Sequence, residues 1–222
     1  MKTFRALAAL LDYPNEALLE ALPELAETIE NEALVPPAER ARLLAFLGQL
    51  QGSDLMALQE HYVDLFDRSR ALSLHLFEHI HGESRDRGQA MVELKKLYAS
   101  KGLELSAGEL PDYLPVLLEY LSLCEPREAT ELLEETAHVL IMIHAGLARR
   151  QSYYATVFAA LLATAGLEAP LEEVEAATLD DTPEALDAAW AEAPAFGPRA
   201  GAAICGAPFG SQTPSPRSSA GC

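Results

Sequence analysis

Residues 62–91 read YVDLFDRSRALSLHLFEHIHGESRDRGQAM, a stretch that mixes aromatic, basic, acidic and histidine side chains in one segment. Gly82 divides it, because residues 73–81 have helical spacing and glycine commonly follows the last turn of a helix. A second helix is predicted over residues 84–100, before Gly102. So dense a mixture of charges indicates specific pairing rather than a uniformly solvated face. The stretch therefore predicts two helices around a turn, and a site of either catalysis or recognition.

Helical spacing continues along most of the chain on both sides of this stretch. Helices are predicted to begin near Phe4, Asn15, Pro37, Ser53 or Asp54, Ser73, Ser84, Pro111, Pro126 and Ser152. Strand signals are almost absent, since the chain has no alternating runs of Val, Ile and Thr and no Asn-Gly hairpin. We therefore predict an all-α, single-domain helical bundle of about nine or ten helices.

The 222 residues, half of them hydrophobic, suffice for one domain with a sizeable core. Composition divides the chain into an all-helical domain over residues 1–166, an acidic helical or linker extension over 167–196, and a tail over 197–222. The tail is rich in Gly, Pro and Ser and offers little apolar area to offset the entropy of ordering. We therefore expect the tail to be disordered.

The formal charge of −18 limits the partners. It is too acidic for nucleic-acid binding and disfavours an anionic membrane surface, whereas it favours a basic or amphipathic peptide. The longest apolar runs fall short of the ~20 residues that a membrane-spanning helix needs, and no signal peptide is expected. The cysteines, Cys124, Cys205 and Cys222, are odd in number and form no CxxC pair. Neither disulfides nor zinc are indicated, and a cytoplasmic location is expected.

His75 and His79 have the i, i+4 spacing at which two imidazoles on a helix can meet one metal, and His81 lies close by. A histidine-based, metal-dependent hydrolase is therefore an alternative. However, the pattern HExxH is absent, and so are the nucleophile elbow and the glycine-rich phosphate loops. We favour the interpretation that these histidines bond neighbouring acids on a half-exposed helix face. The prediction is that the chain is not an enzyme and binds no metal.

A second informative segment is ELPDYLPVLLEYLS at residues 109–122. Its leucines form an apolar stripe that is typical of a core helix. Glu109 and Asp112 are open to two interpretations: the solvated edge of that helix, or an acidic patch beside an apolar groove. The patch would suit an amphipathic helix that carries Lys or Arg.

Together, residues 62–91 and 109–122 resemble the NarJ family of respiratory nitrate reductase assembly chaperones, within the all-α TorD/DmsD group of redox-enzyme maturation proteins. The resemblance extends from FRALAALLDYP at residues 4–14 through Trp190 and Phe196. It implies a TorD-like fold and a cytoplasmic protein that binds the apo catalytic subunit of a membrane-bound nitrate reductase through its N-terminal segment. That binding would keep the client competent for insertion of the molybdenum cofactor before membrane docking, with no cofactor held stably by the chaperone. A chaperone for a different molybdoenzyme is the alternative.

The resemblance supplies motif positions, and we divide them into client-binding and scaffold residues on physical grounds. The residues expected to bind the client peptide are Tyr62, Phe66, Met91, Tyr98, Glu109, Asp112 and Tyr113. Those expected to form the motif or its scaffold are Glu78, His79, Gly82, Arg85, Asp86, Arg87 and Pro111. We expect Tyr62, Phe66, Met91 and Tyr98 to line an apolar groove, and the two acids, Glu109 and Asp112, to meet basic groups of the client. The two arginines are expected to pair internally with Asp64 or Asp67.

Overall fold

Helices make up most of the chain over residues 1–80, 86–106 and 108–169, which a computed structural model describes. The α-helices are α1 Lys2–Leu11, α2 Glu16–Glu32, α3 Pro37–Gln51, α4 Leu55–Tyr62, α5 Leu76–Ile80, α6 Asp86–Ser100, α7 Leu114–Leu123, α8 Pro126–Arg149 and α9 Ala155–Thr164. A π-helical turn, Val63–Asp67, and a 3₁₀ turn, Arg70–Leu72, lie between α4 and α5. The all-α prediction is confirmed in this part of the chain. Residues 81–85, with Gly82 and Arg85, and residues 170–222, with most of the predicted extension and tail, lie outside the described residues.

The centre of the bundle is formed by helices that are apolar on nearly every face, as expected for helices buried on all sides. α1 packs against α7 and α2, and α9 packs against α8 and α3. Leu7, Leu118 and Leu161 expose 0 % of their surface in these three central helices. Burying each such side chain contributes roughly 1.5–3 kcal/mol, which is why the apolar periodicity predicts the core so well. No helix of the described residues is long and apolar enough to cross a membrane.

Local capping determines where several helices begin. The Asn15 side chain accepts a hydrogen bond from the Leu18 N–H at 2.8 Å, and the Asp54 carboxylate accepts one from the Ala57 N–H at 3.1 Å. Both satisfy backbone donors that have no partner inside the helix. Gly102 follows α6 with φ +78°, the left-handed conformation that glycine adopts without strain. These predicted boundaries are confirmed.

Three predicted helix starts are wrong. α9 begins at Ala155 rather than near Ser152, and for the other two the backbone pairs across the chain at those points. The Leu76 N–H donates to the Asp112 carbonyl at 3.0 Å, and the Leu114 N–H donates to the Leu74 carbonyl at 2.9 Å. The residues before α5 and α7 therefore lie side by side in extended form, with an isolated antiparallel bridge between residues 75 and 113. As a result α7 begins at Leu114 rather than Pro111, and α5 begins at Leu76 rather than Ser73.

Candidate functional site

The π-helical turn after α4 positions the first two candidate residues. The Arg68 N–H donates to the Val63 carbonyl at 3.0 Å, a bond that spans five residues instead of four. Such wide turns are rare and often occur at functional sites. Tyr62 and Phe66 both point into the protein, exposing 4 % and 5 % of their surface. Both side chains therefore belong mainly to the core, with their edges reaching the surface pocket described below.

Tyr62 lies at the centre of an aromatic cluster, defined as Tyr13, Tyr62, Phe66, Tyr113 and Tyr154. Its ring centroid is 5.6 Å from that of Tyr13, 4.9 Å from that of Phe66 and 6.2 Å from that of Tyr154. Its hydroxyl donates to the last carbonyl of α1 at 2.9 Å and lies 3.0 Å from the hydroxyl of Tyr113. Burial raises the pKa of Tyr62, so the hydroxyl stays protonated. The cluster ties α1, α4, α7 and α9 together at one end of the bundle.

Three adjoining depressions open beside this cluster, and we call them together the α4 groove. The first, the tyrosine pocket, has a volume of about 250 Å³ and is lined by Tyr13, Tyr62, Phe66, Asp67, Leu74, His75 and Tyr113. The second, of about 690 Å³, is lined by Tyr13, Met56, Ala57, Gln59, Glu60, His61, Val63, Asp64 and Arg68. The third, of about 450 Å³, is lined by Phe46, Gly48, Gln49, Leu50, Gly52, Ser53, Leu58, His61, Tyr153 and Tyr154.

The surface of the α4 groove combines exposed apolar side chains with acidic ones. Tyr13 is 44 % exposed, Met56 69 % and Tyr153 57 %. The same depressions carry the carboxylates of Glu60, Asp64 and Asp67 and the guanidinium of Arg68. Arg68 lies 3.5 Å from Asp64, with both side chains well exposed. The lining of the groove therefore combines exposed apolar surface with a net negative charge.

Next to the tyrosine pocket, which His75 also lines, lies a partly buried ionic cluster, the Asp112 cluster, formed by His75, Glu78, Arg87 and Asp112. The Asp112 carboxylate is 0 % exposed; one oxygen is 3.2 Å from His75 Nδ1 and the other 3.5 Å from Arg87 Nη2. The second oxygen also accepts the Phe77 N–H at 3.3 Å, while Arg87 lies 3.8 Å from Glu78. These bonds join α5 and α6 to the start of α7.

The hydrogen bond to Asp112 raises the pKa of His75, and the negative charge of that carboxylate acts in the same direction against the effect of burial. When His75 is protonated, the Asp112 cluster contains two cations and two anions and is neutral overall. A buried set of charges is tolerated only when it is paired in this way. The arrangement therefore serves to hold three helices in register.

Several sequence-predicted residues lie elsewhere than expected. Asp112 is enclosed, so the predicted acidic patch formed with Glu109 is wrong; Glu109 is exposed and accepts the Ser106 N–H at 2.8 Å. Tyr98 is 0 % exposed and donates its hydroxyl to the Pro111 carbonyl at 2.8 Å, which makes it a core residue. Met91 is half-buried on α6 and lines none of the three depressions.

The predicted pairing of Arg87 with Asp64 or Asp67 is also wrong, because Arg87 reaches Glu78 and Asp112 instead. Arg85 and Gly82 lie outside the described residues. Asp86 is the first residue of α6, where a negative charge suits the helix dipole. Which of the predicted positions contact a partner stays a prediction.

The histidines predicted as alternative metal ligands are engaged separately. His75 faces Asp112, and His79 donates its Nε2–H to the Ser73 carbonyl at 2.8 Å. His81 lies outside the described residues. Within the ranges that the structure describes, no group of three or more His, Cys, Asp and Glu side chains has the geometry to hold a metal ion.

The sequence interpretation missed Tyr13, Met56 and Tyr153 as groove residues. Tyr13 lies just after the end of α1, beside a proline, and Met56 is the second residue of α4. In the sequence each therefore looks like an ordinary residue at a helix end. Their exposure is the relevant signal, and it depends on how the end of α1 and the start of α9 lie beside α4. A pattern within one helix does not carry that information.

A helical bundle with an open, partly acidic groove is typical of a protein that binds another polypeptide. The fold is similar to a crystal structure from Archaeoglobus fulgidus assigned as a redox enzyme maturation protein. The two share a TM-score of 0.53 and 23 % identity over 72 % of this chain and 91 % of that one. The described part of the chain therefore shares the all-helical fold of that protein.

The family follows from sequence comparison. The model of the nitrate reductase delta subunit family matches residues 12–160. The nitrate reductase molybdenum cofactor assembly chaperone NarJ of Escherichia coli (strain K12) is 44 % identical over 187 residues, 82 % of this chain and 79 % of the relative. NarW of the same strain is 38 % identical over 196 residues, 86 % of this chain and 82 % of the relative.

The chain belongs to the nitrate reductase delta subunit family, which confirms the resemblance to NarJ predicted from residues 62–91 and 109–122. Because the relatives are assembly chaperones rather than catalysts, the prediction that the chain is not an enzyme is also confirmed. It is a maturation chaperone.

Proposed function

We propose that the protein binds the apo catalytic subunit of a membrane-bound respiratory nitrate reductase through the N-terminal segment of that subunit. Binding takes place in the cytoplasm and keeps the client competent to receive the molybdenum cofactor before it docks at the membrane. The cofactor enters the client, and the chaperone holds none stably. Family membership supports nitrate reductase as the enzyme that the client belongs to. The α4 groove is the observation that supports binding of a peptide segment.

The chemistry of the groove matches an amphipathic helix with a basic face. Met56 and Tyr13 offer exposed apolar contacts, and methionine adapts readily to irregular partner surfaces. Glu60, Asp64 and Asp67 supply negative charge close to those contacts. The net charge of −18 adds a long-range attraction for a positively charged peptide and speeds its encounter with the groove. Helix-in-groove recognition uses this combination of apolar anchors and flanking charge.

Isothermal titration calorimetry with a synthetic peptide of the client N-terminal segment tests this proposal. We expect a dissociation constant of ~1 µM or tighter, equivalent to about −8 kcal/mol. Affinity is expected to fall as salt rises, because the attraction is partly electrostatic. An undetectable interaction, or one that salt does not weaken, would count against the proposal.

A matched pair of methionine variants locates the contact. Met56→Ala in the groove is expected to weaken binding about three- to tenfold, in line with the loss of an exposed apolar contact worth about 1 kcal/mol. Met142→Ala, on α8 and 37 % exposed, is expected to leave affinity unchanged, because Met142 lines none of the three depressions. Equal effects of the two substitutions would move the peptide site away from the α4 groove.

Co-purification from cells that express the chaperone identifies the client. Recovery of the nitrate reductase catalytic subunit is the expected result. Recovery of a different molybdoenzyme instead would refute the client assignment while leaving the chaperone class intact.

A further inference from the structure

The tyrosine pocket is small, and most of the side chains that line it are aromatic. Its volume of about 250 Å³ is below the roughly 300–1,000 Å³ of a site for a whole small molecule, so it suits a single side chain. Tyr13, Tyr62, Phe66 and Tyr113 form its walls. Tyr13 and Tyr62 meet edge to face with an interplanar angle of 90°, so rings of different orientation surround the space. Aromatic faces of this kind attract cations.

Two carboxylates lie at this pocket. Asp67 lines it, and one oxygen of Asp12 is 3.5 Å from the Tyr113 hydroxyl. Burial raises the pKa of Tyr113 to about 12, and the charges of Asp12 and Asp67 act in the same direction. Neither carboxylate forms an ion pair with another described residue.

The cation that lines the pocket and the one beside Asp67 are already matched by anions. Among the described residues that line it, His75 is the one basic side chain, and its Nδ1 faces Asp112. With Arg87 and Glu78, these residues make the neutral Asp112 cluster. Arg68, on the same turn as Asp67, lies against Asp64. Asp67 therefore lines an aromatic pocket without an ion-pair partner among the described residues, and Asp12 adds a second negative charge beside Tyr113.

We propose that the tyrosine pocket takes one arginine side chain of the client peptide, an inference that rests on the proposed function. The guanidinium group stacks on the tyrosine rings and donates to the Asp67 carboxylate, with Asp12 adding to the attraction. Arginine fits better than lysine because its planar group both stacks on aromatic rings and bonds a carboxylate with two donors. Asp67 is thus a specificity-determining residue for the client.

A double-mutant cycle measured by calorimetry tests this inference. The client peptide is made with citrulline, an uncharged isostere, in place of each arginine in turn, and the protein carries Asp67→Asn. Asp67→Asn is expected to weaken the native peptide about fivefold, the size of a partly desolvated charge pair. One citrulline peptide should lose affinity in the wild-type protein, and for that peptide Asp67→Asn should add less than about twofold.

Asp64→Asn is the matched control, because it removes a charge from the same turn outside the tyrosine pocket. It should weaken all peptides alike and show no coupling to the same arginine. Native peptide that binds as proposed but shows no coupling at any position would overturn the arginine pocket and leave the proposed function standing. Full retention of coupling when lysine replaces that arginine would overturn the choice of arginine. Absence of any peptide binding would refute both proposals.

Discussion

Replacing Asp112 with Asn is expected to destabilise the folded protein by about 2–3 kcal/mol. The carboxylate is 0 % exposed and serves three partners: His75 at 3.2 Å, the Phe77 N–H at 3.3 Å and Arg87 at 3.5 Å. Asn keeps one acceptor oxygen of the same shape, but it removes the negative charge and turns an amide donor towards a cation.

The size of this free-energy cost depends on how far His75 and Arg87 regain hydration once the carboxylate is lost. Breaking a fully buried ion pair costs ~3–5 kcal/mol, because a charge is left without water or partner. Here the side chains of His75 and Arg87 are 32 % and 26 % exposed, so both regain part of their hydration. The expected loss in the free energy of unfolding therefore lies below that range. For a domain of this size, about 2–3 kcal/mol lowers Tm by about 4–12 °C.

Urea unfolding followed by circular dichroism measures the effect, with Glu109→Gln as the matched control. Glu109 is exposed, and Gln can still accept the Ser106 N–H, so its substitution should stay within about 0.5 kcal/mol of wild type. A structural role for Asp112 is refuted if Asp112→Asn unfolds at the same urea concentration as wild type yet binds the client peptide tenfold more weakly. That pattern would mark Asp112 as a client-facing acid instead of a structural one.

Two further predictions concern the same end of the bundle. Phe66→Ala is expected to cost ~3–5 kcal/mol in urea unfolding, because the ring is 5 % exposed; a cost under about 1 kcal/mol would show that it faces an open groove. The bond to Asp112 raises the pKa of His75 above its ordinary value, so the folded state favours the protonated imidazole. This contribution is fully present below about pH 6.5 and is lost as pH rises through the folded-state pKa. The stability advantage of wild type over His75→Gln should therefore shrink as pH rises above about pH 6.5, and a difference that stays constant with pH would contradict the assignment.

The positions of the helices were predictable because the signals for them are local. Apolar spacing within one turn predicts α1, α3 and α8, and a side chain three residues from the donor it caps marks the starts at Asn15 and Asp54. The start of α7 was not predictable in the same way. It depends on backbone hydrogen bonds to residues 74–76, and the sequence around Pro111 contains no signal that predicts that pairing.

The site was predictable in part. Residues 62–91 correctly indicated the family, and Tyr62, Phe66 and Tyr113 do meet beside one pocket. The acid expected at the surface, Asp112, is instead enclosed, because its partner His75 comes from 37 residues away along the chain. The acid that does line the pocket, Asp67, was predicted instead as an internal partner of Arg85 or Arg87.

The sequence alone determined that this chain is an acidic helical bundle of the nitrate reductase delta subunit family. Periodicity, capping and motif order are local patterns, so they can be recognised in the amino-acid sequence. The tertiary structure decided which side chains face one another. Tyr13 lies beside Tyr62, Asp67 lines the tyrosine pocket, and Asp112 is buried against His75 and Arg87. The physical reason is that burial and charge pairing are set by contacts between distant segments. Those contacts form only when α1, α4 and α7 pack together, and they leave no pattern in any one of the helices.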